Sequence, residues 1–281
     1  MKTGIGTAYY SVVYGEENAF KKMKEHGFDC ADFQHILSNT NNPVFKSQSP
    51  EFERKLLEIK KRADDAGIEI YQAHGPWEWP VRDGTPEKRA LLFEDSVKSL
   101  YACSVIGCKN LVLHPITPFG FEKRPNDDEL YDVNVEYFSK LLEKAKEYDT
   151  VICFENMPWR DVRISFVDKC LEIAKLMNDE HFKLCLDTGH CSAVGGNSAE
   201  AVRLFGKKYL AALHVHDNDG KGDAHWLPYE GVNDWKDFSN ALHEIGFEGP
   251  VSIETSVRGK LPPELREYFE IGLAKIARSL A

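Results

Sequence analysis

The sequence lacks several features that would assign it to particular protein classes. In its 281 residues no apolar run approaches the roughly 20 residues that cross a bilayer, and the amino terminus lacks the apolar segment of a cleaved secretion signal. Basic residues are in deficit, since 35 Lys and Arg face 45 Asp and Glu, for a net charge of -10. Because duplex binding depends largely on Lys and Arg neutralising phosphates, this balance argues against nucleic acid as a partner.

Cysteine pairs, flexible linkers and a phosphate-binding loop are missing as well. The 7 cysteines form no Cys-x-x-Cys pair, and their odd number indicates reduced thiols in a cytoplasm. No stretch rich in Pro, Gly or Ser divides the chain, so we expect residues 1–281 to form a single domain without membrane contact. The oligomeric state is left open. No glycine-rich loop follows the first predicted strand, which argues against an open doubly wound sheet.

Short β-rich runs alternate with longer amphipathic segments along the whole chain. The predicted strands are 2–7, 28–33, 68–73, 110–113, 151–154, 183–186, 209–215 and 251–253. The predicted helices are 17–26, 50–66, 86–106, 128–148, 165–177, 198–207, 234–245 and 262–279. Ser49 and Thr85 are predicted to cap helices that begin with proline, and glycines at 27, 67, 107 and 246 are predicted to end helices.

Eight strand–helix units of this kind predict a single (β/α)8 TIM barrel. Parallel strands joined by right-handed helical crossovers account for the alternation, and the chain length suits one closed barrel. The longer loops that follow strands, at 34–49, 75–85, 115–127 and 216–233, would then share one rim. Barrels of this class carry their chemistry at that rim.

Six consecutive predicted strands end in an imidazole or a carboxylate. Unpaired carboxylates are costly in a dry site, and a divalent cation would neutralise them while accepting imidazole nitrogens. We therefore predict that these side chains meet in one metal-binding mouth. The residues, in chain order, are His74, His114, Glu155, Asp187 with His190, His214 with His216, and Glu254.

Two questions about this set stay open in the sequence. His214 and His216 share one face if the strand continues that far, and only one of them need bind metal. Asp223 and His225 lie in the long seventh loop, where a polar surface loop and a second metal site, completed by His74 and His114, are equally consistent. The remaining imidazoles are interpreted as surface or packing residues, namely His26, His35, His181 and His243.

Aromatic and basic side chains follow the same strand ends. Tryptophan faces pack well against sugar rings, although they can also simply cover the open end of a barrel. The basic residues could hold a phosphate or carboxylate of a substrate, or be solvated charges. The aromatic residues are Trp77, Trp79, Trp159 and Trp226, and the basic ones are Arg160, Arg163 and Lys221.

At these positions the chain resembles the xylose-isomerase-like barrel superfamily, which includes sugar epimerases and isomerases, inosose dehydratases and isomerases, and apurinic-site endonucleases. The most specific string is Leu186-Asp187-Thr188-Gly189-His190, supported by Glu155-Asn156 and Ile253-Glu254. The resemblance implies one divalent metal, with Mn²⁺ preferred over Zn²⁺, Mg²⁺ or Co²⁺. It implies that the ligands are Glu155, Asp187, His214 and Glu254, and that His190 contacts substrate. Substrate contacts are also expected from His74, His114, His216, Trp77 and Trp159.

The predicted reaction is isomerisation or epimerisation of a sugar, sugar phosphate or cyclitol. Glu155 and Glu254 would move a proton on and off carbon through a metal-stabilised enediolate. A dehydratase of the same superfamily is an alternative. The other is a zinc-dependent apurinic-site endonuclease, because every ligand of its three-metal cluster has a counterpart here. Against it, loop 34–49 contains Lys46 as its only basic residue, whereas opening DNA calls for cationic or wedge-like side chains.

Overall fold

The structure, a computed structural model, describes residues 1–78, 81, 83–256 and 261–281. Trp79, one of the predicted aromatic residues, lies outside them. Eight parallel strands form one sheet in the order β7-β6-β5-β4-β3-β2-β1-β8, which confirms the predicted barrel. The strands are β1 (Thr3–Gly6), β2 (Cys30–Phe33), β3 (Glu69–His74), β4 (Asn110–Leu113), β5 (Val151–Glu155), β6 (Phe182–Asp187), β7 (Leu210–His214) and β8 (Val251–Ile253).

The ring closes through the residue that follows β7. The Val215 amide donates to the Ser252 carbonyl over 2.8 Å, and the Val215 carbonyl accepts from the Glu254 amide over 3.0 Å. Predicted strand 209–215 is thus shorter than expected, because Tyr209 ends the preceding helix and Val215 makes an isolated bridge to Ile253. This closure fixes the ends of β7 and β8 beside each other.

Helices surround the sheet, and every predicted helix has a counterpart. They are α1 (Thr7–Tyr14), α2 (Ala19–His26), α3 (Pro43–Lys46), α4 (Ser49–Ala66), α5 (Pro86–Ile106), α6 (Asp127–Glu147), α7 (Val167–Met177), α8 (Thr188–Ala193), α9 (Ser198–Tyr209), α10 (Trp235–Ile245) and α11 (Pro263–Leu280). A short 3-10 turn, Arg163–Ser165, precedes α7. None of these helices, in the part of the chain that is described, is long and apolar enough to span a membrane.

Three of the helices were not predicted. Helix α1 has no side-chain cap, and its aromatic and β-branched sequence is typical of strands, which explains why predicted strand 2–7 ran into it. Helices α3 and α8 have only 4 and 6 residues, too short to show helical periodicity.

The predicted helix ends are mostly found, with one exception. Thr85 caps α5 by accepting from the Lys88 amide, and Gly27, Gly67 and Gly107 end their helices in the left-handed conformation. Gly246 does the same for α10. The predicted Ser49 cap is wrong, since Ser49 is already helical and Gln48 precedes it without a side-chain bond.

The alternation of side chains along each strand separates the apolar core from the site. Leucine and phenylalanine residues such as Phe154 face the helices, where Phe138 packs edge to face on both Phe154 and Phe182. A second cluster, Val112, Cys153, Cys185 and Ala212, lies apart from this core. Because successive strand residues point to opposite faces, Glu155, Asp187 and His214 follow Cys153, Cys185 and Ala212 on the same face. All 7 cysteines are free and buried.

Candidate metal-binding mouth

The side chains predicted at the strand ends converge. Ligand atoms of Glu155, Asp187, His214 and Glu254 all lie within 4.8 Å of one another. His214 Nδ1 is 2.7 Å from Glu155 Oε1 and 3.4 Å from Glu254 Oε2. Glu155, Asp187 and His214 are buried, and Glu254 is partly buried. We call these four residues the mouth cluster.

The donor set of the mouth cluster fits a divalent cation. Three carboxylates and one imidazole are the ligands that such ions take, and Glu155 Oε2 is buried and makes no well-aligned hydrogen bond, although His114 Nε2 lies 3.2 Å away. Within the described part of the chain, no lysine or arginine forms an ion pair with Glu155, Asp187 or Glu254. The described groups of the chain that can neutralise these carboxylates are therefore histidines.

The turn after β6 explains the Asp187-Thr188-Gly189-His190 string. Asp187 caps α8, because its Oδ1 accepts the His190 amide over 2.6 Å. Asn156 joins the ends of β5 and β6 by bonding both the amide and the carbonyl of Asp187. Gly189 leaves room for His216, since a Cβ there would lie 2.0 Å from that imidazole. The cap uses Oδ1 alone, and Asp187 Oδ2 lies 3.0 Å from His216 Nε2.

Sequence reasoning missed Asp32, which supports the mouth cluster from β2. The carboxylate is buried, and its Oδ2 lies 2.9 Å from His214 Nε2. Gln72, on β3, donates to the same oxygen over 3.1 Å. The signal was present, since an acidic residue in the four-residue strand Cys-Ala-Asp-Phe needs a buried partner. Asp32 orients the imidazole so that Nδ1 faces Glu155 and Glu254.

A second group of donor atoms adjoins the mouth cluster through Glu155. His74, Glu155 and His214 place ligand atoms within 4.8 Å of one another. His114 Nε2 is 3.2 Å from both His74 Nε2 and Glu155 Oε2. The structure thus brings the two predicted histidines of β3 and β4 against a mouth carboxylate.

A third group of donor atoms includes two residues of the seventh loop. His190, His216, Asp223 and His225 again place ligand atoms within 4.8 Å. Asp223 Oδ1 is 3.0 Å from His225 Nε2, and His216 Nε2 is 3.0 Å from Asp187 Oδ2. Asp223 and His225 therefore combine with His190 and His216, and not with His74 and His114, with which the sequence grouped them.

Asp217 holds the long loop that carries Asp223 and His225. Its buried carboxylate accepts from the amides of Asn218, Gly231 and Asn233 and from the Trp235 indole nitrogen. A carboxylate with so many donors is firmly fixed. The seventh loop is consequently folded against the barrel rather than extended into solvent.

Electrostatics differ between the two glutamates of the mouth cluster. Burial alone would raise the pKa of Glu155, but the imidazoles of His214 and His114 hold it well below its usual range. Burial raises the pKa of Glu254 to about 8, against the opposing effect of His214 and His225. Burial and the neighbouring His114 lower the pKa of His74 to about 4. The two carboxylates thus lie in environments that favour different protonation states.

A cavity of about 610 Å³ opens above the mouth cluster. Its lining includes most predicted contact residues, namely His74, Trp77, His114, Trp159 and His190, together with Glu155 and Glu254. His216 lies beneath, fully buried and stacked on His225 with ring centroids 4.0 Å apart. The volume suits a small polar ligand.

Other predicted residues lie apart from this cavity. Arg160 donates to the Gly220 carbonyl over 2.6 Å, Arg163 pairs with Asp168, and Lys221 is exposed. Trp226 makes a backbone bridge to Asp217. His26 and His181 have packing roles, since His26 lies 2.9 Å from the Tyr10 hydroxyl and His181 lies 2.7 Å from the Thr150 carbonyl.

Comparison with known proteins gives both epimerases and an endonuclease. A D-psicose 3-epimerase of Ruminiclostridium cellulolyticum is 25% identical over 92% of this chain and 85% of its own length. A probable endonuclease 4 of Acholeplasma laidlawii is 24% identical over 81% of this chain and 82% of its own length. An uncharacterised protein of Methanocaldococcus jannaschii is 28% identical over 99% of this chain and 92% of its own length.

Solved structures share the fold at low identity. A D-psicose 3-epimerase with D-tagatose, from Clostridium cellulolyticum H10, superposes with a TM-score of 0.81 at 18% identity, covering 100% of this chain and 99% of that one. The IOLI protein with a bound zinc atom superposes with a TM-score of 0.75 at 19% identity, covering 99% and 96%. The family described as xylose isomerase-like TIM barrel matches residues 20–275. The chain belongs to this family.

Proposed function

We propose that this protein is a divalent-metal-dependent isomerase or epimerase of a sugar or cyclitol. The observation that carries the proposal is the mouth cluster, in which two glutamates, an aspartate and a histidine converge within 4.8 Å at the base of an open cavity. The epimerases and the inosose isomerase among the relatives support the substrate class. The zinc-bound relative supports a divalent ion, and Mn²⁺, Zn²⁺, Mg²⁺ and Co²⁺ all suit these ligands.

Glu155, Asp187, His214 and Glu254 would hold the ion. When bound, it would supply Lewis-acid stabilisation of negative charge that develops on a substrate oxygen. Asp32 and Asn156 contribute by fixing His214 and Asp187, so that the donor atoms keep their positions before and after the ion arrives.

Glu155 and Glu254 would move the proton. Strands β5 and β8 are separated by β6 and β7 in the sheet order, so the two carboxylates approach a substrate from different sides of the barrel. One carboxylate can remove a proton from a carbon next to a carbonyl while the other returns one from the opposite side. Proton removal and return on opposite faces inverts the carbon, whereas return at the adjacent carbon moves the carbonyl.

The cavity walls would orient the substrate. Trp77 and Trp159 supply flat apolar faces for the C–H surface of a ring, and His190 lines the same cavity beside Asp187. Such walls limit the rotation of a small polyol and keep its reactive carbon between the two glutamates.

Solvent-hydrogen exchange tests this proposal. Protein loaded with Mn²⁺ and incubated in D₂O with ketohexoses and inososes is expected to place deuterium on one substrate carbon, as followed by NMR. Glu155→Gln and Glu254→Gln should each lower the exchange rate by about 10²–10⁴-fold, the usual size of a general acid–base contribution. Full exchange in both variants would refute the assignment. Analysis of the products separates isomerisation and epimerisation from loss of water by a dehydratase.

Hydrolysis of a phosphodiester is the second candidate. It is favoured by the two further donor groups around the mouth cluster, which could hold additional zinc ions, and by the endonuclease relative. A nicking assay on duplex DNA with one abasic site, with zinc present, decides between the two. We expect no nicking above the buffer rate. Turnover at the abasic site, lost in His225→Ala, would establish the second candidate instead.

A further inference from the structure

A side chamber of about 220 Å³ adjoins the cavity described above. It lies between the ends of β3 and β4 and the helices α5 and α6, and it shares Trp77, His114 and Trp159 with the main cavity. His114 is 3.2 Å from Glu155. A ligand bound at the mouth cluster could therefore extend past His114 into the side chamber.

The walls of the side chamber are apolar and acidic. Leu91, Leu92, Leu113 and Phe138 supply apolar surface. Among the described residues, three carboxylate side chains and one lysine line it, namely Glu78, Asp83, Asp95 and Lys88. An anionic group such as a phosphate would be repelled here, whereas a neutral ring with a hydrogen-bond donor complements the lining.

Two buried polar atoms beside the side chamber make no hydrogen bond within the described part of the chain. Asp83 is 4% exposed, and its Oδ2 accepts the Thr117 amide over 3.1 Å, whereas Oδ1 is buried with no hydrogen bond in the described residues. Thr117 Oγ1 is likewise buried and unpartnered there. Leaving such atoms unsatisfied costs free energy, so a group that donates to them would bind favourably.

The loops fix Asp83 in place. Gly84 packs so closely on the fourth loop that a Cβ would lie 1.9 Å from the Gly120 carbonyl carbon. Arg89 donates to the Asp83 carbonyl over 3.1 Å and stacks on the Phe121 ring at 5.0 Å. The acceptor is thus held by contacts between two loops before any ligand arrives, which lowers the entropic cost of using it.

We propose that the side chamber is a second subsite, which holds a hydroxyl-bearing ring attached to the sugar, and that Asp83 selects this ring by accepting its hydroxyl hydrogen bond. This inference rests on the proposed function, since it names the class of sugar as one that carries a ring substituent. Burial raises the pKa of Asp83 to about 6, so the carboxylate is mostly ionised, and accepts only, at pH 7 and above.

Small aromatic probes test the subsite without any turnover. Calorimetric titration of the Mn²⁺-loaded protein gives the affinities for 4-methylphenol, toluene and 4-methylbenzoate. These probes share an apolar ring and differ in carrying a hydroxyl, no polar group or a negative charge, so the comparison gives the contribution of each substituent to binding. We expect 4-methylphenol to bind about fivefold or more tightly than toluene, the gain of one hydrogen bond to a charged acceptor, and 4-methylbenzoate not to bind. In Asp83→Asn the preference for the phenol over toluene should fall to below about twofold.

Two matched variants control for folding and location. Leu91 is exposed on α5, and Leu91→Trp should fill the side chamber and abolish binding of both neutral probes. Leu57 is similarly exposed, on α4, and Leu57→Trp should bind like the unchanged protein. Equal affinity for phenol and toluene, or a preference that survives Asp83→Asn, would overturn the proposal.

Glycosides test the link to the sugar. We expect 4-hydroxyphenyl β-D-glucoside to bind at least about tenfold more tightly than methyl β-D-glucoside, and Leu91→Trp to remove the difference. If 4-methylphenol binds but the hydroxyphenyl glucoside binds no more tightly than the methyl glucoside, the claim that the ring is attached to the sugar is wrong. The proposed function is unaffected by that result. If no deuterium from D₂O enters a substrate but 4-methylphenol still binds, the proposed function is wrong. The side chamber would then still be a ring-binding site.

Discussion

Two buried clusters of histidine and carboxylate in this molecule differ in what they can do. The mouth cluster lies at the strand ends beneath a cavity. The other cluster, which we call the helix-layer cluster, lies between α1, α2 and α11, outside that cavity. It consists of Tyr10, Tyr14, His26 and Glu270, where the Tyr14 hydroxyl donates to Glu270 over 2.5 Å and His26 lies 3.2 Å from the same oxygen.

An unpartnered buried atom does not distinguish the two clusters. Glu155 Oε2 in the mouth cluster and Glu270 Oε1 in the helix-layer cluster are both buried without a well-aligned hydrogen bond. The difference is in composition, because the helix-layer cluster has one acid for one imidazole and two hydroxyls, whereas the mouth cluster has three acids for one imidazole. The mouth cluster thus has an excess of carboxylates that a bound cation would neutralise, and the helix-layer cluster has no such excess.

The same substitution, made in each of the two clusters, is expected to give the largest difference in the proton-exchange rate. Glu155→Gln should lower proton exchange by about 10³-fold, because it removes both a proton-transfer group and a metal ligand. Glu270→Gln is the matched control and should change the exchange rate by less than about twofold, since Glu270 does not line the cavity. Equal losses in both variants would show that the two clusters do not differ in function.

A substitution next to the mouth cluster tests whether metal affinity depends on the residue that orients His214. Asp32→Asn should weaken metal affinity by about 10- to 100-fold, as expected for a residue that orients a ligand histidine. Competition with a fluorescent chelator measures this directly. Gln72→Leu, which removes a neutral donor to Asp32, serves as the milder control, and a larger loss there than in Asp32→Asn would contradict the positioning role.

The helix-layer cluster should respond in stability instead. Tyr14→Phe removes the hydroxyl that donates to Glu270, and we expect unfolding to become easier by about 1–3 kcal/mol, the cost of a buried acceptor left without its donor. Urea denaturation followed by circular dichroism measures this. Metal affinity should stay within about twofold of the unchanged protein, and a loss of metal binding would contradict a purely structural role for this cluster.

Asp83 is a third buried carboxylate, and its effect on stability should depend on pH. Burial is the main cause that raises its pKa from 3.8 to about 6, with Arg89 opposing and Glu78 assisting. A raised pKa means that the stabilising protonated form is present below pH 4 and is lost as the pH rises through 6. Asp83→Asn should therefore gain about 2–3 kcal/mol over the unchanged protein between pH 4 and pH 8. A constant difference over that range would contradict the assigned pKa.

The sequence was sufficient for the barrel and for most of the strand ends. Short β-rich runs alternate with segments of helical periodicity, so the eight units could be placed, and six consecutive strand ends carry the polar residues that were predicted to meet at one rim. Short helices could not be placed, because α8 depends on the Asp187 cap and not on an apolar pattern. Helix α1 was missed because its residues favour strands by composition.

The contacts between distant loops could not be predicted. Asp32 touches His214 across 182 residues, and although an acid in a buried strand needs a partner, the local sequence does not show which distant residue it meets. The sequence grouped Asp223 and His225 with His74 and His114, whereas the folded seventh loop carries them to His190 and His216. That choice depends on Asp217 bonding three backbone amides, which only the folded loop brings together.

The metal content of the protein tests the central claim most directly. Protein purified without chelator, analysed by mass spectrometry of the elements, is expected to carry about one divalent ion per chain, and Asp187→Asn is expected to lose it. The helix-layer variant Glu270→Gln should keep it. Absence of any divalent ion from the unchanged protein, even after incubation with Mn²⁺, would contradict the account, and two or three zinc ions per chain would favour phosphodiester hydrolysis over proton transfer on a sugar.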